Sequence, residues 1–444
     1  MPKRTKSYTD EIPMLYPELF KDNNDGIKKI VRTVTFQVTD SCNLACTYCY
    51  QTNKGKRQMS FDTAKKLVDA LLSNDPKLNG YITPENSPAL IIDFIGGEPF
   101  MNIDVIDKIC DYFLDKTISM THPWALLHRF SLCSNGVLYF DKKVQKFLDK
   151  YQDTLSLNIT LDGNKELHDS CRIFPDGSPS YDLALAATQD WMSRGFYMGS
   201  KITIAPANLP YLYDAIIHMV ELGYTEIFAN TVFEEGWNIE HAIEFYKQLK
   251  ILADYWIDND MVDTHYLSLF EEDMFVPQNE SDNQNYCGGT GLMLSMDPDG
   301  YLFPCIRYME TSLGNNQTPM CIGHIDTGIG IKPCHKNCID CLNKITRRSQ
   351  STDECFYCPI GQGCAWCSAY NYQVFGTADK RATFICDMHK ARSLANVYFW
   401  NKYYKKNNIN KIKVIHCPKE WALNIINIEE YNMLIDISST EGRN

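Results

Sequence analysis

From residue 30 onward, apolar runs rich in β-branched residues alternate with amphipathic stretches of helical spacing. Alternation of this kind predicts βαβ units and a parallel sheet. Six units are too few for an eight-stranded TIM-like barrel, so we expect an α/β fold with a partial, open (β/α)6 barrel. The predicted strands are Val31–Val38, Leu90–Ile95, Arg129–Cys133, Leu155–Leu161, Lys201–Ile204 and Glu226–Val232. The predicted helices cover 61–74, 102–118, 141–150, 181–194, 209–222 and 238–258.

Polar residues and glycines follow four consecutive predicted strands. Any one of these segments is explained as a turn, since Asn-Gly and Asp-Gly are common turn formers. Because the carboxyl ends of parallel strands meet at one rim, their recurrence predicts a binding site there. In chain order they are Cys42-Asn-Leu-Ala-Cys46-Thr-Tyr-Cys49, Gly96-Gly97-Glu98-Pro99, Ser134-Asn135-Gly136 and Thr160-Leu-Asp162-Gly163, with His168 and Arg172 on the next loop.

The three cysteines after the first strand have the spacing of a metal centre. A tetrahedral structural zinc site requires a fourth nearby Cys or His, and none follows within the next dozen residues. A cubane iron–sulfur cluster held by three protein thiolates keeps one iron open for another ligand. The missing fourth ligand therefore favours an iron–sulfur cluster with an open coordination position.

Composition narrows the class of protein. The 444 residues are 44% hydrophobic and 22% charged, which is typical of a globular chain of two or three modules. The formal net charge of −12 argues against a nucleic-acid binder. We expect no secretory signal and no membrane span, because no long apolar stretch occurs. Eighteen cysteines in such a chain indicate metal ligands in a reducing cytoplasm rather than disulfides.

A second, cysteine-rich module follows the predicted barrel. The turn Asp297-Pro-Asp-Gly300, between the apolar runs Leu292–Met296 and Tyr301–Cys305, predicts a hairpin that brings Cys287 and Cys305 to one end. Downstream lie Cys355-x2-Cys358-x5-Cys364-x2-Cys367 and Cys386. The predicted division is a lead-in over 1–29, a barrel over 30–258, a linker over 259–286, the cysteine-rich domain over 287–390, and a C-terminal helix and cap over 391–444.

The first cysteine group, with aromatic Tyr48 before its last member, resembles the signature of the radical S-adenosylmethionine (SAM) superfamily. The segment Gly96-Gly97-Glu98-Pro99 resembles that family's motif for the methionine amino group. The resemblance implies that the three cysteines hold a [4Fe–4S] cluster whose open iron is chelated by SAM. It further implies that SAM is cleaved to a 5′-deoxyadenosyl radical, which abstracts a substrate hydrogen. By position, the resemblance also places Ser134, Asn135, Thr160 and Arg172 beside the cofactor.

The second module resembles the SPASM domain, an extension that binds auxiliary iron–sulfur clusters in radical enzymes that mature peptides. The resemblance implies a distal cluster fully ligated by Cys355, Cys358, Cys364 and Cys386. It assigns Cys287, Cys305 and Cys367 to the cluster nearer the barrel. Family members usually have three residues between the last two cysteines of the group of four, and here there are two. The nearer cluster is expected to lack one protein ligand, which a substrate thiolate would supply.

The remaining cysteines have less specific predictions. Cys334-x3-Cys338-x2-Cys341 repeats the opening spacing, with Cys321 upstream, and is interpreted either as a further metal site or as small residues near a helix over Cys338–Arg348. Isolated cysteines are predicted to be core or incidental thiols, and these are Cys110, Cys133, Cys171 and Cys417.

The resemblance implies an oxidoreductase that matures a ribosomally synthesised precursor peptide and takes electrons from a flavodoxin or ferredoxin. The leading expectation is a thioether cross-link, of the kind made in peptides with repeated Cys-x-x-x units. Formylglycine formation is second; such enzymes carry an acidic residue just after the second SPASM cysteine, where this chain has Ile306-Arg307. Carbon–carbon or carbon–oxygen cross-linking and a noncatalytic metal-binding or peptide-binding role are also compatible with the sequence, whereas tRNA modification is a further alternative that the net negative charge disfavours.

Overall fold

The six strands predicted from apolar runs all form, each within two residues of its predicted bounds. The structure, a computed structural model, describes residues 7–21, 28–197, 199–234, 236–285, 287–314 and 317–439. The strands are β1 (Arg32–Thr39), β2 (Leu90–Gly96), β3 (His128–Ser134), β4 (Leu155–Ile159), β5 (Ser200–Ile204), β6 (Glu226–Thr231), β7 (Tyr266–Leu267), β8 (Met293–Met296), β9 (Tyr301–Phe303), β10 (Gly323–His324) and β11 (Gly328–Ile329).

The helices follow the predicted alternation through the first module and continue into the second. They are α1 (Tyr8–Leu15), α2 (Phe61–Leu72), α3 (Ile103–Ser119), α4 (Lys142–Tyr151), α5 (Lys165–Cys171), α6 (Tyr181–Ser193), α7 (Leu212–Glu221), α8 (Ile239–Asp258), α9 (Pro333–Asn343), α10 (Arg347–Gln350), α11 (Asp353–Phe356), α12 (Ser368–Phe375), α13 (Cys386–Lys406), α14 (Lys419–Ala422) and α15 (Ile428–Ile437). None of these helices is long and apolar enough to cross a membrane.

The strands form two sheets rather than one continuous six-stranded barrel. The larger sheet has the order β11-β10-β9-β8-β1-β2-β3-β4, and the smaller has the order β5-β6-β7. Strands β1 to β4 are parallel neighbours, as are β5 and β6. The predicted α/β fold with a parallel sheet is confirmed, and the barrel is open between β4 and β5.

Side chains on the two faces of the larger sheet differ in polarity. Val34, Phe36 and Val38 of β1 are fully buried against the helices, and Phe94 and Phe130 of the next two strands extend the same apolar row. The opposite face of the sheet carries polar side chains at alternate positions, as the two-residue period of a strand requires. The barrel interior is therefore polar in its central strands.

The predicted hairpin forms, but its first strand belongs to the barrel sheet. Strand β8 pairs in parallel with β1 and antiparallel with β9. Residues 259–286, predicted to be a linker, contain β7 and bury Leu269, Phe270 and Phe275 in the core. The apolar residues of this segment are separated by acidic and polar ones, so composition alone did not reveal them. The two modules consequently share one core.

Helix α13 packs along α8 and completes the wall of the barrel. Thirteen of its residues are buried, and Phe399 stacks on Phe270 with ring centroids 4.1 Å apart. Tyr398 and Lys402 both donate to Asp254 of α8 at 2.6 Å. The aromatic residues of this helix thus serve packing.

An arginine ties the loop after β1 to the hairpin turn. Arg57 Nε contacts Asp40 at 2.6 Å, and its Nη1 contacts Asp299 at 2.9 Å and Asp297 at 3.4 Å. The Asp40 side chain is only 2% exposed, whereas Arg57 is one-third exposed. Because a buried charge requires a partner, this contact carries more free energy than a surface ion pair.

We expect Arg57→Met to lower the stability of the protein by about 3 kcal/mol, because Asp40 then stays buried without this cation. The measurement is the midpoint of thermal unfolding, followed by circular dichroism under anaerobic conditions. Lys66→Met is the matched control, because it removes the pair between Lys66 and Asp326, in which both side chains are about half exposed. Equal midpoints for the two variants would contradict the prediction.

Candidate active site at the open end of the barrel

The loop that carries the first three cysteines is held by the segment after α5. The Ala45 N–H donates to the Ile173 carbonyl at 2.8 Å, and the Thr47 N–H donates to the Cys171 carbonyl at 2.9 Å. This loop is not helical, so its cysteines do not lie along a helix face. Burial raises the pKa of the Cys42 and Cys46 thiols, so a bound metal must supply the charge that stabilises their thiolates.

Two glycines at the end of β2 allow the backbone to approach this loop. The Gly97 N–H donates to the Thr39 carbonyl at 3.0 Å, and the Glu98 N–H donates to the Ser41 carbonyl at 2.9 Å. A Cβ atom at Gly97 would lie 2.3 Å from the Ser41 carbonyl oxygen and 2.8 Å from the Cys42 Cβ. Only glycine fits at this position, because the overlap involves backbone atoms that cannot move aside.

Glu98 lies buried beneath the cavity with its carboxylate fixed by three donors. It accepts from Ser134 Oγ at 2.7 Å, from the Asn135 N–H at 2.8 Å and from the Phe100 N–H at 3.1 Å. Burial raises its pKa to about 7, against the lowering effect of these hydrogen bonds. The Asn135 amide in turn donates to Asn43 Oδ1 at 2.7 Å, which joins the third strand end to the cysteine loop.

Arg172 joins the fourth strand end to the same loop. Its Nε donates to Asp162 at 2.6 Å, and its Nη1 lies 3.8 Å from Cys46 Sγ. The guanidinium also lies over the Tyr48 ring, whose hydroxyl donates to Asp162. Asp162, which the sequence suggested only as part of a turn, is therefore the anion that positions Arg172.

His168 has a structural role behind this group. Its Nδ1 accepts from the Asp162 N–H at 3.3 Å, and its Nε2 lies 3.1 Å from Ser180 Oγ. Burial lowers its pKa to about 4, so the ring is neutral. It does not line the cavity.

A cavity of about 780 Å³ opens above these residues, a volume suited to a cofactor together with part of a substrate. Its walls come from the barrel strands, from the SPASM-like module and from α13. Among the predicted site residues, those that line it are Cys42, Cys46, Tyr48, Cys49, Gly96, Gly97, Glu98, Ser134, Asn135, Thr160, Arg172 and Cys367. Pro99 is buried in the turn Pro99–Asn102.

Comparison with known proteins identifies the first module. Residues 36–249 match the family model described as the Radical SAM superfamily. Residues 36–249 of this chain are therefore similar to the radical SAM superfamily.

The relatives extend this likeness to a longer part of the chain. An uncharacterized protein of Methanocaldococcus jannaschii, MJ0907, is 30% identical over 46% of this chain and 62% of its own length. The radical SAM cyclopropyl synthase TigE of Paramaledivibacter caminithermalis is 21% identical over 62% of this chain and 57% of its own length. The chain thus spans about three-fifths of each of these relatives.

A solved structure shows the same fold over most of the chain. The structure described as native anSMEcpe with bound AdoMet and Cp18Cys peptide has a TM-score of 0.57 at 16% identity. The match covers 85% of this chain and 98% of the other. At this identity the likeness concerns the fold alone.

The residues around the cavity fit the cluster and the SAM used by this superfamily. No three His, Cys, Asp or Glu side chains in the described part of the chain lie close enough to share one metal ion. The fit rests on the chemistry of the donor set, because three thiols suit an iron–sulfur cluster, and the Glu98 carboxylate and Arg172 guanidinium suit the ammonium and carboxylate groups of SAM. The buried Gln51 amide, which lines the cavity, has a nitrogen without a partner among the described atoms.

The second cysteine set lies at the far wall of the cavity. Burial raises the pKa of Cys305, and the neighbouring Cys367 and Cys287 raise it further, which shows that the three thiols are close together. Cys287 Sγ lies 3.0 Å from Ser368 Oγ, which accepts from the Tyr308 hydroxyl at 2.9 Å. Cys367 lines the cavity directly, despite the shortened spacing before it.

The third set of cysteines lies farther from the cavity, and its members are Cys355, Cys358, Cys364 and Cys386. Burial raises the pKa of the Cys364 thiol, and among its neighbours Cys358 and Cys355 add to the shift. Burial also raises the pKa of Cys386 to about 11, with Cys364 and Cys358 among the contributing neighbours. The four cysteines predicted to hold the distal cluster are therefore brought together by the fold.

A row of polar side chains inside the barrel was not predicted from the sequence. Asp93 lies in register with Thr35 on one side and Ser131 on the other, and Thr35 Oγ1 donates to its carboxylate at 3.3 Å. Burial raises the pKa of Asp93 to about 6, although both hydroxyls act to lower it. The polar residue at every second position of these apolar runs was the available signal. Asp93 lines the cavity and is a candidate base.

One further cavity residue came to light only in the structure. Cys133, predicted to be a core or incidental thiol, is exposed to the cavity with its Sγ 3.6 Å from Thr160 Oγ1. Its strand position faces the barrel interior, which the isolated cysteine could not indicate. Cys110, Cys171 and Cys417 are buried.

We expect the affinity of the cluster-loaded protein for SAM to rise as the pH increases through about 7, the raised pKa of Glu98. Below that pH the carboxyl is protonated and cannot pair with the methionine ammonium. Isothermal titration calorimetry across pH 6 to 8 under anaerobic conditions measures this.

Glu98→Gln should weaken binding by about tenfold or more and remove the pH dependence, because it replaces a charged hydrogen bond by a neutral one. Glu166→Gln, at an exposed position of α5, is the control and should behave as wild type. An unchanged pH dependence in Glu98→Gln would contradict the assignment.

Proposed function

We propose that the protein is a radical SAM peptide maturase that forms a thioether between a cysteine sulfur and a carbon of a ribosomally synthesised peptide. The observation that carries this proposal is a half-buried arginine, Arg307, which lines the cavity close to Cys367. The similarity to the cyclopropyl synthase and to a fold solved with a cysteine-containing peptide supports a peptide substrate.

Arg307 is placed to favour an incoming thiolate. It lines the cavity, its guanidinium lies 4.9 Å from the Tyr50 ring centroid, and its Nη2 donates to Glu234 Oε1 at 3.0 Å. Burial acts to lower its pKa, yet the pKa is raised, and Cys367 is the neighbour that contributes most to the rise, so the two side chains are close. A cation at this position lowers the pKa of a peptide thiol that enters the cavity.

The nearer cysteine set leaves room for that thiol. Gly289 lies against Cys305, since a Cβ atom there would be 3.1 Å from its Sγ, and Gly288–Gly291 supplies no fourth cysteine. A cluster held by Cys287, Cys305 and Cys367 would therefore accept the substrate sulfur as its remaining ligand. A flavodoxin or ferredoxin is the expected electron donor.

When bound, SAM and the first cluster supply the 5′-deoxyadenosyl radical, and the residues of the chain position the partners and move protons. The overall change removes one hydrogen from carbon and one from sulfur, and a carbon–sulfur bond forms. The carbon hydrogen would leave with 5′-deoxyadenosine, the thiol proton would go to a base in the cavity, and the remaining electron would pass to the cluster that Cys287, Cys305 and Cys367 would hold. Asp93, a partly buried acid that lines the cavity, is the candidate for that base.

The product is tested by anaerobic reaction with the precursor peptide encoded beside this gene, read by tandem mass spectrometry. We expect a loss of two hydrogens and a cysteine that resists alkylation. Arg307→Gln should retain SAM cleavage and lose most of the cross-linked product, because the thiolate is less favoured. Arg194→Gln is the control, since Arg194 pairs with Asp190 and Asp149 on the outside of the barrel.

Formylglycine formation remains the second candidate, because Asp93 offers an acid in the cavity although Arg307 replaces the acidic residue expected after the second SPASM cysteine. An aldehyde product would overturn the thioether proposal. A two-hydrogen loss with a free thiol would indicate a carbon–carbon or carbon–oxygen cross-link instead.

We expect product formation by the wild type to fall below about pH 6, the raised pKa of Asp93, because the protonated acid cannot accept a proton. Asp93→Asn should lower the rate of cross-linking by about a hundredfold, as loss of a general base does, and should abolish the acidic limb of the pH–rate profile. Thr35→Val removes a hydroxyl that donates to Asp93. It tests whether disturbing the polar row is by itself sufficient to lower the rate of cross-linking. Retention of the acidic limb in Asp93→Asn would exclude the role.

A further inference from the structure

Four cysteines outside the three sets described above lie together beside the hairpin. Cys321 precedes β10, and Cys334, Cys338 and Cys341 belong to α9. The helix begins at Pro333, five residues before its predicted start, so all three helical cysteines lie within it. The sequence left open whether this group binds metal.

The helix places its three cysteines on one face. Positions separated by four and by three residues lie above one another at 3.6 residues per turn. The same cysteine spacing lies on a loop in the first module and on a helix here. On α9 it places the three thiols in a row. Helix geometry alone therefore directs Cys334, Cys338 and Cys341 the same way.

Cys321 approaches this row of thiols from the segment just before β10. Burial raises the pKa of Cys338, and the further contributions come from Cys334, Cys321 and Cys341. Burial likewise raises the pKa of Cys321, and Cys334 adds to that rise. Cys338 is therefore within electrostatic range of the other three thiols, and Cys321 is within range of Cys334.

Packing does not account for this group. Cys338 and Cys321 are half-buried, whereas Cys334 and Cys341 are exposed. A small residue chosen to fill a core would be buried, and the two exposed thiols gain nothing from packing. Four thiolates complete the ligand set of a [4Fe–4S] cluster, so this group would need no ligand from outside the chain.

A cluster of apolar side chains connects this group to Cys305 and Cys367, which belong to the cysteine set nearer the barrel. Cys321 and Cys338 pack against the same buried side chains as Cys305 and Cys367. These shared side chains include Phe303, Tyr308, Met309, Met320 and Leu342. Cys334 and Cys341, at the two ends of the row on α9, are exposed.

We propose that Cys321, Cys334, Cys338 and Cys341 hold a further [4Fe–4S] cluster, separate from the two auxiliary clusters expected of the SPASM-like module. Its position between the nearer auxiliary set and the surface suits the passage of electrons between the cavity and an external redox protein.

The test is the iron and acid-labile sulfide content of the whole chain after anaerobic reconstitution. Four clusters correspond to about 16 iron atoms per chain, at four per cluster. Cys334→Ser and Cys341→Ser should each lower the content by about four, and the lost cluster should also be missing from the Mössbauer spectrum. Both positions are exposed, so neither substitution removes core packing.

Cys110→Ala is the matched control, because Cys110 is a buried cysteine of α3 in the apolar core and should leave the iron content unchanged. SAM cleavage by each variant confirms that the chain is folded and that its first cluster is present. Equal iron content in wild type, Cys334→Ser and Cys341→Ser would overturn the proposal. Stoichiometric zinc lost in the two variants would overturn it as well.

Discussion

The backbone of Gly96 and Gly97 lies against the segment from Thr39 to Cys42, so closely that a side chain at Gly97 would overlap a carbonyl oxygen. This contact fixes the end of β2 against the loop after β1, and with it the relation between the Glu98 carboxylate and the three cysteines. The Asn135 amide and the Arg172–Asp162 pair then join the next two strand ends to the same loop. The site is therefore built from four strand ends held at one rim.

The barrel interior is unusual in its polarity. Barrels of this class are commonly filled by branched apolar side chains, yet here Thr35, Asp93 and Ser131 form a row across three strands. Burial of the Asp93 carboxyl disfavours its charged form, and its pKa rises accordingly. An acid with a raised pKa that lines a cavity is a candidate for proton transfer, which is the role proposed for Asp93.

The second module completes the site instead of standing apart from it. Strand β8 extends the barrel sheet along β1, and Arg57 ties the hairpin turn to the buried Asp40. Through this attachment Cys367 and Arg307 become walls of the same cavity as the first three cysteines. The two sets of cysteines thus have members on the walls of one cavity.

The sequence by itself determined the alternation of strands and helices, the rim of glycines and polar residues, and the three cysteine sets. These are local signals, because strand period, turn chemistry and cysteine spacing are written in consecutive residues. The role of Asp162, the exposure of Cys133 to the cavity, the placement of Asp93 and the inclusion of 259–286 in the core were decided by the tertiary structure. Each depends on which strand lies beside which and on where the barrel opens, and these relations join residues far apart in the chain.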